Sequence, residues 1–98
     1  MRLNNILDKI NFLLMLANKG SCNKEELETI ESLLEERTDN MVIGRFMGYS
    51  VSDYAFATLK WIASEETMMA YNHKYFNAPE WQKSEIDELV KKKVYLQY

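Results

Sequence analysis

The side chains most capable of chemistry in this sequence are few and far apart. Cys22 is the one cysteine and His73 the one histidine among 98 residues. A zinc site needs about four such ligands, and a nucleophile needs a base beside it. Ala70, three positions before His73, stands where helical bundles place the glutamate of a Glu-x-x-His metal motif. The sequence therefore predicts no metal site, no catalytic residue and no enzymatic activity.

Nucleotide and cofactor binding are equally unsupported. Gly20, Gly44 and Gly48 are isolated glycines, and phosphate-binding loops need several glycines between a strand and a helix. Ser21-x-x-Lys24 matches a penicillin-binding motif by its letters, but the partner motifs are missing. We expect no cofactor.

Carboxylates are the most concentrated functional group of the chain. Residues 24–39 carry seven acids against two bases, whereas net charge over the whole chain is −3. Glu28, Glu31 and Glu35 belong to the acidic face of a predicted helix, which could dock on a basic partner protein. The alternative is a solvated face that only keeps the chain soluble, as charged runs often do. Basic residues cluster only at 91–93, so DNA binding is not expected.

Aromatic side chains offer a second candidate surface. Eleven of the twelve aromatic residues lie between Phe46 and Tyr98. Tyr, Trp and Met are the residue types that anchor protein interfaces. Tyr49, Tyr71 and Trp81 fall off the main apolar stripe or near predicted helix ends, so we expect them to contact a partner. Four other large apolar residues are expected to fill the core: Trp61, Ile62, Met69 and Phe76.

Residues 43–50, Ile-Gly-Arg-Phe-Met-Gly-Tyr-Ser, resemble the first helix and turn of a helix-turn-helix repressor. The resemblance implies a DNA-binding transcriptional regulator that reads DNA through residues 43–57. The recognition positions depart from that pattern. They hold Val51, Ser52, Asp53, Phe56 and Ala57, which supply no arginine, lysine, asparagine or glutamine for base edges. This regulator is the alternative function.

A heptad repeat predicts the longest element. Large apolar pairs recur at Tyr54-Ala55, Trp61-Ile62, Met68-Met69 and Tyr75-Phe76. Only a helix returns residues seven apart to one face, so the repeat predicts a single helix over about 52–76, with Ser50 or Ser52 as its N-cap. The pairs form a stripe wide enough to be packed on two sides. This helix should therefore lie at the centre of a bundle.

Capping residues delimit the other helices. A first helix is predicted from about Leu3 to Asn18, with Gly20 as its left-handed cap. A second begins after Asn23, whose side chain can form a capping box with Glu26. Pro79 ends the long helix, and a final helix that contains residues 86–94 is predicted to open at Pro79 or at Ser84. Residues 38–52 are compatible with either a short helix or a strand.

Together these elements predict an all-α fold in which residues 1–98 form one compact domain of four to five helices. The lone cysteine indicates a reducing, cytoplasmic compartment. The apolar run at residues 12–17 is too short to span a membrane. The wide apolar stripe also suggests that the chain self-associates, for example as a homodimer.

With catalytic and nucleotide signatures excluded, a non-enzymatic binding protein is the favoured class. Another protein is the expected partner, and the expected mechanism is steric occlusion by a rigid helical surface. Small acidic chains without catalytic motifs resemble, as a type, the inhibitors and adaptors that phages and mobile elements encode against host defence or transcription systems.

Overall fold

The computed structural model of this chain describes residues 5–37 and 45–97. The elements in chain order are helix α1 (Ile6–Lys19), helix α2 (Lys24–Leu33), strands β1 (Arg45–Phe46) and β2 (Tyr49–Ser50), helices α3 (Val51–Ile62), α4 (Glu65–Tyr75) and α5 (Glu80–Lys92), and a final 3₁₀ turn (Val94–Gln97). The expected compact all-α bundle is confirmed, since five helices pack around one core and the two strands form only a short hairpin.

Local caps set the ends of the first two helices. Asn5 accepts a hydrogen bond from the Asp8 amide and caps α1, which begins at Ile6. Gly20 adopts the expected left-handed conformation, with φ of 79°, immediately after α1. The predicted capping box of α2 is confirmed, because Asn23 and Glu26 exchange hydrogen bonds of 2.8 and 2.9 Å. Both helices therefore start where short-range chemistry places them.

Helix α3 is the centre of the core. Every residue from Val51 to Leu59 is buried, and α3 packs against α1, α2, α4 and α5. The Ser50 side chain caps the helix and forms a capping box with Asp53. Ser50 was one of the two serines proposed for this cap. Burial on all sides fits the many apolar residues of α3, and its buried polar residues Ser52, Asp53 and Thr58 form hydrogen bonds inside the protein.

The predicted continuous helix over 52–76 is wrong, because the chain breaks at Ala63. Ala63 adopts a left-handed conformation with φ of 56° and ends α3. Ser64 then caps α4, forming a capping box with Thr67. A straight helix of 25 residues would be about 37 Å long, and the longest dimension of the molecule is 32 Å. The break lets α4 fold back onto α3, which a single rod could not do.

The break also changes which apolar residues are buried. Tyr54, Ala55 and Ile62 in α3 are buried as expected. In α4, however, Met69 is 67% exposed and Phe76, which follows the helix, is 81% exposed. The prediction that Met69 and Phe76 lie in the core is therefore wrong. After Ala63 only one of the two apolar columns still faces α3.

Residues 38–52, for which the sequence allowed either a short helix or a strand, contain a β-hairpin in their described part. Strands β1 and β2 pair antiparallel, with Arg45 opposite Ser50 and Phe46 opposite Tyr49. Met47 and Gly48 form the turn, both with positive φ. Residues 1–4, 38–44 and 98 lie outside the described part, so the helix start predicted at Leu3 and the alternatives predicted for residues 38–44 are not addressed. In the described ranges, no helix has the length and apolarity needed to cross a bilayer.

Candidate functional site

The acidic face of α2 is exposed, as its sequence predicts. Glu28 and Glu31 lie on the outer side of the helix, while Ile30 and Leu33 are buried against the core. Glu35 lies just after the helix and is also exposed. Its carboxylate is 3.6 Å from the Lys74 ammonium of α4, a solvent-exposed pair that contributes little to stability. The three predicted glutamates are therefore available to a partner.

A groove runs between α2 and α4 beside these glutamates. Six residues line it: Leu27, Glu31, Glu66, Met69, Ala70 and His73. Leu27 and Ala70 are half-buried, whereas Glu31 and Glu66 bring carboxylates to it from opposite helices. Met69 adds a large exposed apolar side chain. The result is an apolar groove with carboxylates on both helices, a combination suited to a ligand that is both apolar and positively charged.

The three predicted aromatic contacts are not brought together. Tyr49 and Tyr71 are only 6% and 4% exposed, so they offer almost no surface to a partner. The Tyr49 hydroxyl donates to a Glu88 carboxylate oxygen at 2.8 Å, and Tyr71 stacks on Tyr75 with ring centroids 5.0 Å apart. The Tyr49 hydroxyl and the Tyr71 ring are thus already engaged by other residues of the protein. Their burial gives no support to a binding role.

Trp81 is the exception among these aromatics, at 39% exposure. It lies in the first turn of α5 and does not line the α2–α4 groove. The groove instead uses Met69 and His73 from α4, neither of which was predicted to contact a partner. The sequence feature that could have indicated this is Ser64, which caps a new helix together with Thr67. A helix that begins again at Glu65 need not keep Met69 on the buried face of α3.

The helix-turn-helix resemblance does not describe this structure. The hairpin of Arg45–Ser50 occupies most of the segment that should form the first helix. Recognition positions Val51, Ser52 and Asp53 are buried, and Phe56 and Ala57 are also fully buried. A helix buried on all sides cannot enter a DNA groove. The geometry therefore gives the regulator alternative no support.

A buried polar cluster lies beneath the hairpin. The Gln82 amide nitrogen donates to Ser52 Oγ at 2.6 Å and to Asp53 Oδ1 at 3.1 Å. Arg45 on β1 reaches Glu85 on α5, with 3.0 Å between Nη1 and Oε2.

Burial, followed by the hydrogen bond and charge of Glu85, raises the pKa of Asp53 to about 7. A perturbed carboxyl group is a common sign of catalysis, but Asp53 is wholly shielded from solvent and so from substrate. Its role is structural.

Cys22 also lacks the features of a reactive group. Burial raises the pKa of the Cys22 thiol, and the charges of Glu26 and Glu66 raise it further. Reactive cysteines need the opposite, a lowered pKa beside positive charge. Among the described residues, no cluster of three or more histidine, cysteine, aspartate or glutamate side chains is arranged to hold a metal ion.

A second concave surface lies at the hairpin. Its volume is about 240 Å³, and it is lined by Leu14, Phe46, Met47, Tyr49, Tyr54, Lys92 and Val94. The surface is apolar with one ammonium group, and Lys92 is already engaged by the Tyr49 ring and the Glu88 carboxylate. It therefore lacks a free charge that would select a partner, in contrast to the α2–α4 groove.

Comparison of this chain with protein-family models, curated proteins and solved structures finds no match.

Proposed function

We propose that this chain is a non-enzymatic protein-binding protein that covers a basic surface of its partner with the acidic face of α2. It acts as a small inhibitor or adaptor, and its effect on the partner is steric. The observation that carries the proposal is the exposure of Glu28 and Glu31 along one side of a firmly capped helix, and of Glu35 just after it.

The charge arrangement supports a partner of opposite sign. Carboxylates concentrated on one face attract a basic surface and orient it during encounter. Held by its capping box and by buried Ile30, α2 presents these groups without first having to order them. Preorganised groups lose less conformational entropy when a partner binds. A nucleic acid or an anionic membrane would instead be repelled.

Steric action follows from size and shape. The helices form one compact body of 32 × 28 × 23 Å, so binding through α2 places the whole bundle over the partner surface. A body of this size is large enough to block a groove or an active site without contributing any reacting group. This matches a protein whose perturbed carboxyl group is buried and whose thiol has a raised pKa.

The test compares two charge reversals of the same size. The tagged chain is used to recover partners from its native lysate, alongside the variants Glu31→Lys and Glu80→Lys. Both glutamates are exposed, but Glu80 lies on α5, away from the acidic face. We expect the wild type and Glu80→Lys to recover the same partner, and Glu31→Lys to lose at least nine-tenths of it.

Circular dichroism establishes that both variants fold. Equal recovery by all three proteins would show that α2 is not the binding face, and the proposal would then fail. It would fail also if the purified chain bound heparin or duplex DNA at physiological salt, because a protein with an acidic docking face should not do so.

A further inference from the structure

The α2–α4 groove has a feature that the proposed function does not use, which is an apolar strip between the two sets of carboxylates. Leu27 of α2 and Ala70 of α4 are half-buried along the groove. Met69 stands beside them with two-thirds of its surface in water. An exposed unbranched side chain of this kind adapts its shape to an incoming apolar group. Charge attraction alone requires none of these three residues.

We infer that this groove binds a short amphipathic α-helix of the partner, with lysine or arginine beside its apolar stripe. The inference rests on the proposed function and specifies which segment of the partner docks. Glu31 on one side and Glu66 on the other would face the basic residues, while the apolar stripe would lie on Leu27, Met69 and Ala70. Charge complementarity selects this occupant over an acidic or purely apolar one.

The length of the groove limits the occupant. On α4 the lining residues run from Glu66 to His73, seven positions and so about 10 Å along the helix axis. That distance corresponds to about two turns of a bound helix, enough for anchors at positions i, i+4 and i+7. Phe76 lies seven residues beyond Met69 and is more exposed still. It offers a further contact to a bound helix that extends past His73.

The backbone chemistry of the groove favours a helix over an extended peptide. Extended peptides usually gain affinity by adding a strand to an exposed sheet edge. Both walls of this groove are helices, whose amide and carbonyl groups are engaged in their own hydrogen bonds. A bound helix satisfies its own backbone, so it needs from the groove only apolar contact and charge. The groove supplies both.

The test uses two synthetic 15-residue peptides of the same leucine and lysine composition. In one, the leucines occupy positions i, i+3, i+4 and i+7 of a helix, and in the other the order is scrambled. Each is titrated into the ¹⁵N-labelled full chain while backbone amide shifts are followed by NMR. We expect the patterned peptide to bind at least tenfold more tightly than the scrambled one. The largest shifts should fall on Leu27, Glu31, Glu66, Met69, Ala70 and His73.

Two variants localise the binding. Ala70→Phe fills the groove, and Met69→Gln replaces its exposed apolar side chain with an uncharged polar one of similar length. Each should weaken the patterned peptide at least tenfold while leaving the scrambled peptide unchanged. Met69 is exposed, so Met69→Gln keeps the test valid should the bulkier change at Ala70 disturb folding.

The outcomes separate this inference from the proposed function. Equal binding of both peptides would overturn the groove inference and leave acidic docking intact. Shifts centred on Phe46 and Met47 would overturn it as well, by assigning the peptide to the hairpin surface. Absence of peptide binding, together with recovery of a partner that depends on Glu31, would reject the helical occupant alone. Loss of that dependence would reject the proposed function itself.

Discussion

Helices α3 and α4 carry the same seven-residue apolar repeat, yet they occupy different environments. In α3 Tyr54, Ala55 and Ile62 are buried and Trp61 is partly buried against the core, because four other helices surround α3. In α4 the second column, Met69 and then Phe76 beyond the helix end, points to solvent. The repeat therefore reports which residues share a face, whereas burial of that face depends on how many neighbours it meets.

The comparison bears directly on function. A helix whose first nine residues are all buried has little surface left for a partner, so α3 supports the fold and α4 supplies exposed groups. Large exposed apolar side chains rimmed by charge are typical of interaction sites. The break at Ala63 thus moves Met69 from a predicted core position to the surface, beside the glutamates of α2.

The largest effect expected from this comparison is on stability. Phe56→Ala in α3 removes a fully buried ring and should lower the free energy of unfolding by about 3–5 kcal/mol. Phe76→Ala, at a residue that is 81% exposed, should change it by less than about 0.5 kcal/mol. Urea denaturation followed by circular dichroism measures both. Equal costs at the two positions would mean that Phe76 is buried and that the contrast between the two helices is false.

A second effect arises from the carboxyl group that α3 encloses. The pKa of Asp53 is raised from 3.8 to about 7 in the folded state, chiefly by burial. Between these two values the folded protein retains a proton that the unfolded chain releases. Stability from this group is therefore highest below about pH 4 and declines as pH rises towards 7, by at most about 1.4 kcal/mol per pH unit.

Asp53→Asn removes this titration. We expect the unfolding free energy of the variant to vary less between pH 4 and 7 than that of the wild type, measured by denaturation at each pH. Any loss of hydrogen bonding with Ser50 or Gln82 would lower the unfolding free energy of the variant at every pH. The slope of unfolding free energy against pH is therefore the quantity that decides the test. Parallel curves for the two proteins would show that Asp53 does not carry the pH dependence.

Sequence reasoning succeeded where a few neighbouring residues decide the structure. The Asn23–Glu26 box, the Gly20 cap and the Ser50 cap all act within a few residues of the helix end they define. It failed where an unusual residue occupied a structural position. A left-handed cap is normally glycine, so an alanine at position 63 gave no sign in the sequence that a helix ends there. The groove itself was not predictable, because it depends on the approach of α2 to α4, which no sequence spacing encodes.

The smallest expected effects test the break at Ala63 directly. The same substitution changes the free energy of unfolding in opposite directions, depending on whether α3 and α4 are separate helices or one continuous helix. Ala63 holds a left-handed conformation that glycine adopts without steric cost, so Ala63→Gly should stabilise the protein by about 0.5–1 kcal/mol. Inside a continuous helix the same change would destabilise it by about 1 kcal/mol.

Ser64→Ala is the companion variant. It removes the side chain that caps α4 and should cost about 1 kcal/mol, whereas alanine inside an unbroken helix would be neutral or favourable. Thermal and urea denaturation of both variants measure these signs. Destabilisation by Ala63→Gly together with stabilisation by Ser64→Ala would instead support one continuous helix over 52–76. Met69 would then be buried as first predicted, and it could not line a groove.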